Sequence, residues 1–308
     1  MSKTVSLVLS GGGARGLAHI GVIEELEKAG YEIHSVVGTS MGALVGGMYA
    51  MGKLQVFKEW MCSLDKMKVF NLVDFTISSH GLVKGDKVFS RMQELIPDQD
   101  IENFPKYFAA LAVDLIKRDE VKFEKGSFYK AARASIAIPN VMKPVKNKNQ
   151  ILVDGGLMNN LPMLHAHRIE GDLLVAVDVG ANVPVISTTL SVKEPKEERS
   201  LYQKKVNEFY QRFQKWIPFD HTEEESKTDR IGYLDLMNST VDLMMEQQTK
   251  LQILNMPPDL LIQISRDSCG TYDFYRAAEM IEIGQMAFID SIKRKNTSLN
   301  MQSIKNLI

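Results

Sequence analysis

The sequence is poor in the features that mark disulfide-stabilised, membrane-spanning and nucleic-acid-binding proteins. Its 308 residues include only two cysteines, Cys62 and Cys269, which excludes a disulfide framework and a cysteine-rich zinc site. We expect both cysteines to pack inside the protein. No stretch reaches the roughly 18 consecutive apolar residues that a membrane-spanning helix needs. The 37 basic and 38 acidic residues give a net charge of −1, so no overall field attracts nucleic acid and no nucleic-acid partner is expected.

The remaining composition is that of an ordinary folded protein. Hydrophobic residues make up 44% of the chain and charged residues 24%, which excludes disordered, collagen-like and coiled-coil proteins. The apolar run that ends at Leu9 is too short for a signal peptide and is followed by no cleavage site. The sequence therefore predicts a cytoplasmic protein.

Strand patterns alternate with helical patterns along most of the chain. The strand patterns are Thr4–Leu9, Ile33–Val37, Tyr107–Ile116, Val121–Phe123, Ile151–Val153, Leu173–Val179 and Leu260–Ile264. Most are apolar on both faces, which is typical of strands that are covered on both sides. The pattern predicts an α/β fold with a mostly parallel sheet sandwiched by helices.

The composition changes between residues 184 and 257, where charges cluster and strand patterns disappear. We interpret this stretch as a helical insertion that caps the α/β domain. Because the strand pattern resumes after residue 257, we expect a single domain over residues 1–293 rather than two independent domains. Residues 294–308 form a polar tail that is predicted to fray.

The pentapeptide Gly38-Thr39-Ser40-Met41-Gly42 has the GxSxG pattern of a serine nucleophile. It comes directly after a predicted strand and directly before a predicted helix. On such a turn the Ser40 hydroxyl is exposed above the sheet. Gly38 and Gly42 are needed because side chains at these positions would collide with neighbouring backbone. The sequence therefore predicts that Ser40 is a nucleophile.

A second glycine-rich turn, Gly11-Gly12-Gly13-Ala14-Arg15-Gly16, lies between the first predicted strand and helix. It matches the GxGxxG pattern of dinucleotide-binding proteins, but that fingerprint also requires an acidic residue at the end of the second strand. Val37 and Gly38 stand there instead. We favour an oxyanion hole formed by the backbone of Gly11, Gly12 and Gly13. The alternative from another functional class is a nucleotide-binding regulatory module.

A serine nucleophile needs a base, and no histidine stands convincingly at a strand end. The histidines are His19, His34, His80, His165, His167 and His221. His19 is expected to be a buried helix residue, and His221 is the only late candidate for a triad. Asp154 follows a predicted strand and precedes two glycines, which places its carboxylate near the same crevice as Ser40. An ordinary turn aspartate is the other interpretation of Asp154.

Three motifs, in this order, resemble those of the patatin-like phospholipase family. They are the Gly11–Gly16 turn, the Gly38–Gly42 pentapeptide and Asp154-Gly155-Gly156. The resemblance extends through Ala134–Pro139, Asn159–Pro162 and Val175–Val179. It covers residues 3–182 firmly and 258–287 loosely, and it does not cover the insertion.

The resemblance implies hydrolysis of acyl esters, usually of phospholipids or lysophospholipids, by a Ser/Asp dyad without histidine, metal or cofactor. Carried onto this sequence, Ser40 is the nucleophile, Asp154 the base, and the backbone of Gly11–Gly13 the oxyanion hole. Arg15 either anchors the glycine turn, which we favour, or contacts a substrate phosphate. A lipid or acyl-ester substrate follows from the same resemblance, and transient contact with a membrane surface is expected if the apolar stripe of the insertion docks as a lid.

Two alternatives stay open at the level of sequence. Within enzymes, the rival is a soluble esterase or thioesterase that acts on small acyl donors. Within the insertion, an apolar stripe of helical spacing either packs in the cap or docks as a lid on a lipid surface. The stripe consists of Tyr202, Val206, Phe209, Phe213 and Trp216. We favour cap packing because the net charge provides no electrostatic anchor.

Overall fold

A computed structural model describes residues 3–72, 84–139, 141–147, 149–190 and 233–305 of the chain. Within these residues, eight strands form one sheet in the order β5-β6-β3-β2-β1-β7-β8, with β4 paired to β3 off this path. The strands are β1 (Lys3–Leu9), β2 (Tyr31–Thr39), β3 (Tyr107–Asp114), β4 (Asp119–Phe123), β5 (Val145–Asn147), β6 (Gln150–Asp154), β7 (Leu173–Ala181) and β8 (Leu260–Ser265).

The sheet is mostly parallel, as the sequence predicts. Strands β3, β2, β1, β7 and β8 are parallel neighbours. Strands β4 and β6 pair with β3 in the antiparallel direction, and β5 pairs with β6 in the same way. The parallel half carries β1 and β2, so the turns that follow these two strands lie at the same edge of the sheet.

Helices cover the sheet on both faces. They are α1 (Ala18–Lys28), α2 (Met41–Ala50), α3 (Leu54–Cys62), α4 (Lys66–Leu72), α5 (Asp86–Leu95), α6 (Phe128–Ser135), α7 (Tyr233–Asn255) and α8 (Ala277–Lys305). On β1, Leu7 and Leu9 belong to the large core with α1, α2 and α8. Val8 belongs to a smaller core on the other face, with Leu161 and Ile253 of α7. This alternation explains why β1 is apolar at successive positions.

Strand β6 brings Asp154 to the crevice through an antiparallel pairing that the sequence does not reveal. Asp154 pairs with Ala112 of β3, and the neighbouring Leu111 pairs with Thr39 of β2. Strand β6 runs antiparallel to β3, so its carboxyl end points away from the crevice. Because β6 pairs with β3 only over Leu152 to Asp154, its last residue still lies level with the end of β2.

The structure extends one expected element and corrects another prediction. Helix α8 continues to Lys305 and so includes most of the segment 294–308 that is predicted to be a polar tail, since no glycine or proline after Gly284 ends the helix. Cys269 is buried as expected, but Cys62 is exposed at the end of α3.

Much of the predicted insertion lies outside the described residues, including the whole apolar stripe from Tyr202 to Trp216. The part of the insertion that the structure describes includes the long helix α7. Among the described helices, none is both long enough and apolar enough to cross a membrane.

Candidate active site

Ser40 occupies a sharp turn between β2 and α2. Its φ of 54° is a left-handed conformation, which costs a residue other than glycine about 1–3 kcal/mol. The Ser40 N–H donates a hydrogen bond to Ser135 Oγ at 2.8 Å, and the Ser40 carbonyl accepts one from the Leu44 N–H at 3.1 Å. Ser40 thus stands at the N-terminus of α2, where the helix dipole stabilises negative charge.

Close backbone contacts require the glycines on either side of Ser40. A Cβ atom at Gly42 would lie 2.6 Å from the Ser10 carbonyl oxygen, and one at Gly38 would lie 2.5 Å from the Gly42 carbonyl oxygen. Real Cβ atoms do not approach backbone this closely. These contacts explain why the GxSxG pattern has glycine at positions 38 and 42.

The glycine loop, residues Gly11–Gly16, lies directly beside Ser40. A Cβ atom at Gly11 would lie 3.0 Å from Ser40 Cβ. The Gly11 N–H already donates to the Asn160 carbonyl at 3.2 Å, so it is committed within the protein. No acceptor among the described residues takes the N–H of Gly12 or Gly13. Within Gly11–Gly13, these two N–H groups are the ones that no described residue uses.

Arg15 ties the glycine loop to the segment that follows β8. Its Nε donates to the Gly12 carbonyl at 3.0 Å, its Nη1 to the Arg266 carbonyl at 3.0 Å, and its Nη2 to Thr271 Oγ1 at 3.1 Å. The guanidinium group therefore contacts the loop that would hold the oxyanion donors in place. This arrangement favours loop anchoring over phosphate binding.

Asp154 is a buried carboxylate next to Ser40, with only 4% of its surface exposed. Its Oδ1 accepts a hydrogen bond from the Gly156 N–H at 2.8 Å. The Ser40 side chain is close enough to lower the pKa of Asp154, yet Oδ2 is buried without a well-aligned hydrogen bond from any described residue. The two side chains are neighbours whose hydrogen bond is not fully formed, which is common in enzymes without substrate.

Burial raises the pKa of Asp154 from 3.8 to about 6, and the nearby Ser40 side chain and the hydrogen bond from the Gly156 N–H partly oppose this rise. A carboxylate with this pKa is ionised at neutral pH and is a stronger base than an exposed aspartate. Asp154 can therefore accept a proton from a neighbouring hydroxyl group at neutral pH.

Helix α7 covers the site. The Met245 methyl group would lie 2.5 Å from a Cβ atom at Gly156, and Gln252 Nε2 donates to Asn159 Oδ1 at 2.9 Å. Ser40 is only 5% exposed. Ser40 is thus nearly enclosed by the described residues.

The described histidines are engaged elsewhere. His19 is fully buried on α1, as expected. Its Nε2 donates a hydrogen bond to the Ser10 carbonyl at 2.9 Å, which raises its pKa, but the larger effect of burial lowers the pKa to about 4. His165 Nε2 lies 2.5 Å from Glu120 Oε2. His34 pairs with Asp172, and His167 stacks on Tyr107. His80 and His221 lie outside the described residues. In the described part of the chain, no group of three His, Cys, Asp or Glu residues could hold a metal ion.

Three polar residues at the site were not singled out by motif analysis. Ser135 accepts the hydrogen bond from the Ser40 N–H, and Thr39 Oγ1 donates to the Asn159 carbonyl at 2.8 Å. Asn160 Oδ1 is buried without a hydrogen-bond partner among the described residues, beside Gly11. Ser135 and Asn160 lie within Ala134–Pro139 and Asn159–Pro162, two segments that share the family resemblance, and Thr39 lies within the GxSxG pentapeptide.

Residues 7–167 match the family described as patatin-like phospholipase. An uncharacterised NTE family protein of Mycobacterium tuberculosis is 32% identical, over 92% of this chain and 90% of the relative. Lysophospholipase NTE1 of Coccidioides immitis is 27% identical over 95% of this chain, which corresponds to 18% of that protein. Among solved structures, VipD from Legionella pneumophila aligns with 95% of this chain and 67% of its own, with 14% identity and a TM-score of 0.43.

Proposed function

The chain belongs to the patatin-like phospholipase family, and we propose that it hydrolyses carboxylic esters of phospholipids or lysophospholipids through Ser40 and Asp154. The observation that carries this proposal is the contact between a serine on a strained strand-to-helix turn and a buried carboxylate. The lysophospholipase named among the relatives supports the substrate class. We further propose a cytoplasmic enzyme that makes transient contact with the membrane that holds its substrate.

In the first half of the reaction, Ser40 Oγ attacks the ester carbonyl carbon while Asp154 accepts the hydroxyl proton. The resulting tetrahedral intermediate collapses, and the departing alcohol takes the proton from Asp154. In the second half, Asp154 accepts a proton from water, whose oxygen attacks the carbonyl carbon of the acyl-enzyme. The second tetrahedral intermediate collapses, the fatty acid leaves, and Asp154 returns the proton to Ser40 Oγ. A single carboxylate thus serves as base and then as acid in each half, without a histidine.

The oxyanion that forms on the ester oxygen needs hydrogen-bond donors. We propose the N–H groups of Gly12 and Gly13 for this role, since the Gly11 N–H is committed to Asn160. Gly11 contributes by its lack of a side chain, because a Cβ atom there would contact Ser40 Cβ. Each donor of this kind is worth about 3 kcal/mol of transition-state stabilisation.

The substrate class is tested by comparing p-nitrophenyl esters of increasing chain length and a lysophospholipid. We expect long-chain esters to be hydrolysed faster than acetyl and butyryl esters, with higher rates above the aggregation threshold of the lipid. Preference for the short esters, with lipids untouched, would favour the soluble esterase or thioesterase. Micromolar binding of NAD, FAD or a nucleoside triphosphate that competes with a serine-directed phosphonate would favour the nucleotide-binding alternative.

The proposed base predicts the pH dependence of the reaction. Asp154 must be ionised to accept the Ser40 proton, and its pKa is raised to about 6. We therefore expect kcat/KM to be half-maximal near pH 6, to fall tenfold per pH unit below it, and to reach a plateau at neutral pH. Initial rates on a soluble ester between pH 4.5 and 9 measure this profile.

A second buried carboxylate provides the control for the pH profile. Burial also raises the pKa of Asp178 to about 6, and its neighbour Val179 packs against Gly12. The Asp178→Asn variant should keep the midpoint of the wild-type enzyme. A midpoint near pH 4 in the wild type, or one that disappears in Asp178→Asn, would argue against Asp154 as the base.

A further inference from the structure

We propose that Ser135 is a positioning residue that holds the backbone of Ser40 at the place from which its hydroxyl meets Asp154. The inference rests on the proposed function, because it assigns Ser135 a task in the reaction of Ser40. Ser135 ends helix α6 and is fully buried, 95 residues along the chain from Ser40. Nothing in its local sequence indicates such a contact.

The hydroxyl of Ser135 makes two hydrogen bonds whose directions are fixed. It donates its only hydrogen to the Leu111 carbonyl at 2.5 Å, and it accepts the Ser40 N–H at 2.8 Å. Because the hydrogen is used for Leu111, the lone pairs of the oxygen remain for Ser40. The hydroxyl thus links strand β3 to the turn that carries the nucleophile.

The same short segment also holds the base. The Asp154 N–H donates to the Ala137 carbonyl at 3.0 Å, two residues after Ser135. Residues Ser135–Ala137 therefore form a bracket, bonded through a side chain to the backbone of Ser40 and through a carbonyl to the backbone of Asp154. The bracket fixes the two reacting residues relative to each other.

The strained turn at Ser40 depends on the hydrogen bond to Ser135 more than an ordinary turn would. The left-handed φ of Ser40 is unfavourable, so the turn persists only where the surroundings hold it in place. Without the Ser135 hydroxyl, the Ser40 N–H would be buried without a partner, and the turn could relax to a conformation that moves the hydroxyl away from Asp154. A shift of about 1 Å in a reacting group can cost on the order of 100-fold in rate.

The test compares wild-type enzyme, Ser135→Ala and Ser135→Thr. We expect Ser135→Ala to lower kcat, and the rate of fluorophosphonate labelling of Ser40, by about 10- to 100-fold, with KM changed by less than about twofold. Its pH midpoint should lie above that of the wild type, because the Ser40 side chain, whose proximity lowers the pKa of Asp154, would lie further from the carboxylate. Ser135→Thr keeps the hydroxyl group and should recover kcat to within about threefold of wild type.

Ser35 provides a matched control on the same strand as the nucleophile. It is a buried serine in the middle of β2, five residues before Ser40, and its hydroxyl donates to Ser6 Oγ at 3.0 Å or the His167 carbonyl at 2.9 Å. Ser35→Ala removes a comparable buried hydroxyl and should lower the thermal midpoint without changing the labelling rate or the pH midpoint.

Three results would overturn the proposal for Ser135. One is a folded Ser135→Ala enzyme with wild-type kcat and pH midpoint. The second is a loss no larger than that in Ser35→Ala, which would show a general effect on stability. The third is a folded Ser135→Thr enzyme as impaired as Ser135→Ala, which would show that the hydroxyl is not the cause. A wild-type enzyme that neither hydrolyses esters nor reacts with the fluorophosphonate would instead contradict the proposed function itself.

Discussion

Replacing Ser40 by alanine should lower ester hydrolysis by at least about 10⁴-fold, because the proposed reaction then lacks the atom that forms the acyl-enzyme. The variant should also lose labelling by a fluorophosphonate, which reacts with an activated serine, and peptide mapping of the labelled wild type should identify Ser40. Hydrolysis of a soluble ester and the extent of labelling are measured on the same preparations.

The Ser40→Gly variant separates catalysis from folding. Glycine adopts a φ of 54° without strain, so this variant should be as inactive as Ser40→Ala and about 1 kcal/mol more stable than wild type. Ser35→Ala is the control for loss of a buried serine hydroxyl elsewhere on β2, and it should remain active. Activity above about 1% of wild type in Ser40→Ala, or labelling at another residue, would show that the nucleophile lies elsewhere.

The Asp154→Asn variant should lose activity by about 10³- to 10⁴-fold, because an amide of nearly the same shape cannot accept the Ser40 proton at neutral pH. Its Oδ1 can still accept the Gly156 N–H, so the turn after β6 should be retained. Labelling of Ser40 by the fluorophosphonate should fall in parallel. Rapid labelling of Asp154→Asn would return the role of base to another residue, with a histidine as the first candidate.

The same variant should be more stable than the wild type at pH 8. The pKa of Asp154 is about 6 in the folded protein against 3.8 ordinarily, so folding favours the protonated form. The protonated carboxyl group therefore adds to the free energy of unfolding in full below pH 4, and this stabilisation is lost as the pH rises through 6. Above pH 6 the buried carboxylate is ionised, which lowers the free energy of unfolding by on the order of 3 kcal/mol relative to the protonated form. Asparagine carries no charge and avoids this cost.

Thermal denaturation at pH 8 and pH 4 measures this difference. The advantage of Asp154→Asn over wild type should be present at pH 8 and absent at pH 4. A variant that is both inactive and strongly destabilised at pH 8 would indicate that Asp154 has a structural role. An inactive but more stable variant is the result expected of a residue retained for catalysis.

Local sequence was most informative where a property depends on adjacent residues. The turn at Ser40 and the need for glycine at position 42 could be inferred because strand, turn and helix follow each other within the GxSxG pattern. The mostly parallel sheet followed from the alternation of apolar strands with helices. The continuation of α8 beyond residue 293 could not be inferred from the polarity of that segment, although helix formation needs only suitable residues and no breaker.

Other features of the site could not be inferred in this way. From its neighbours in sequence, Asp154 could equally have been an ordinary turn residue, and the family resemblance was needed to favour the base. Two hydrogen bonds at the site join residues that are far apart in the sequence. The Gly11 N–H donates to the Asn160 carbonyl, 149 positions away, and the Ser40 N–H donates to Ser135, 95 positions away. The motifs around these residues do not indicate that they lie close together in space.

The sequence by itself determined the strand-to-helix turn, the serine it carries and the alternating layers, because these depend on short-range sterics and on the period of apolar residues. The tertiary structure decided how close the Asp154 carboxylate lies to the serine, how far burial raises its pKa, and which loop amides stay unpaired. These properties depend on the low polarity and the hydrogen bonds of a crevice built from distant segments, and they exist only once those segments have packed together.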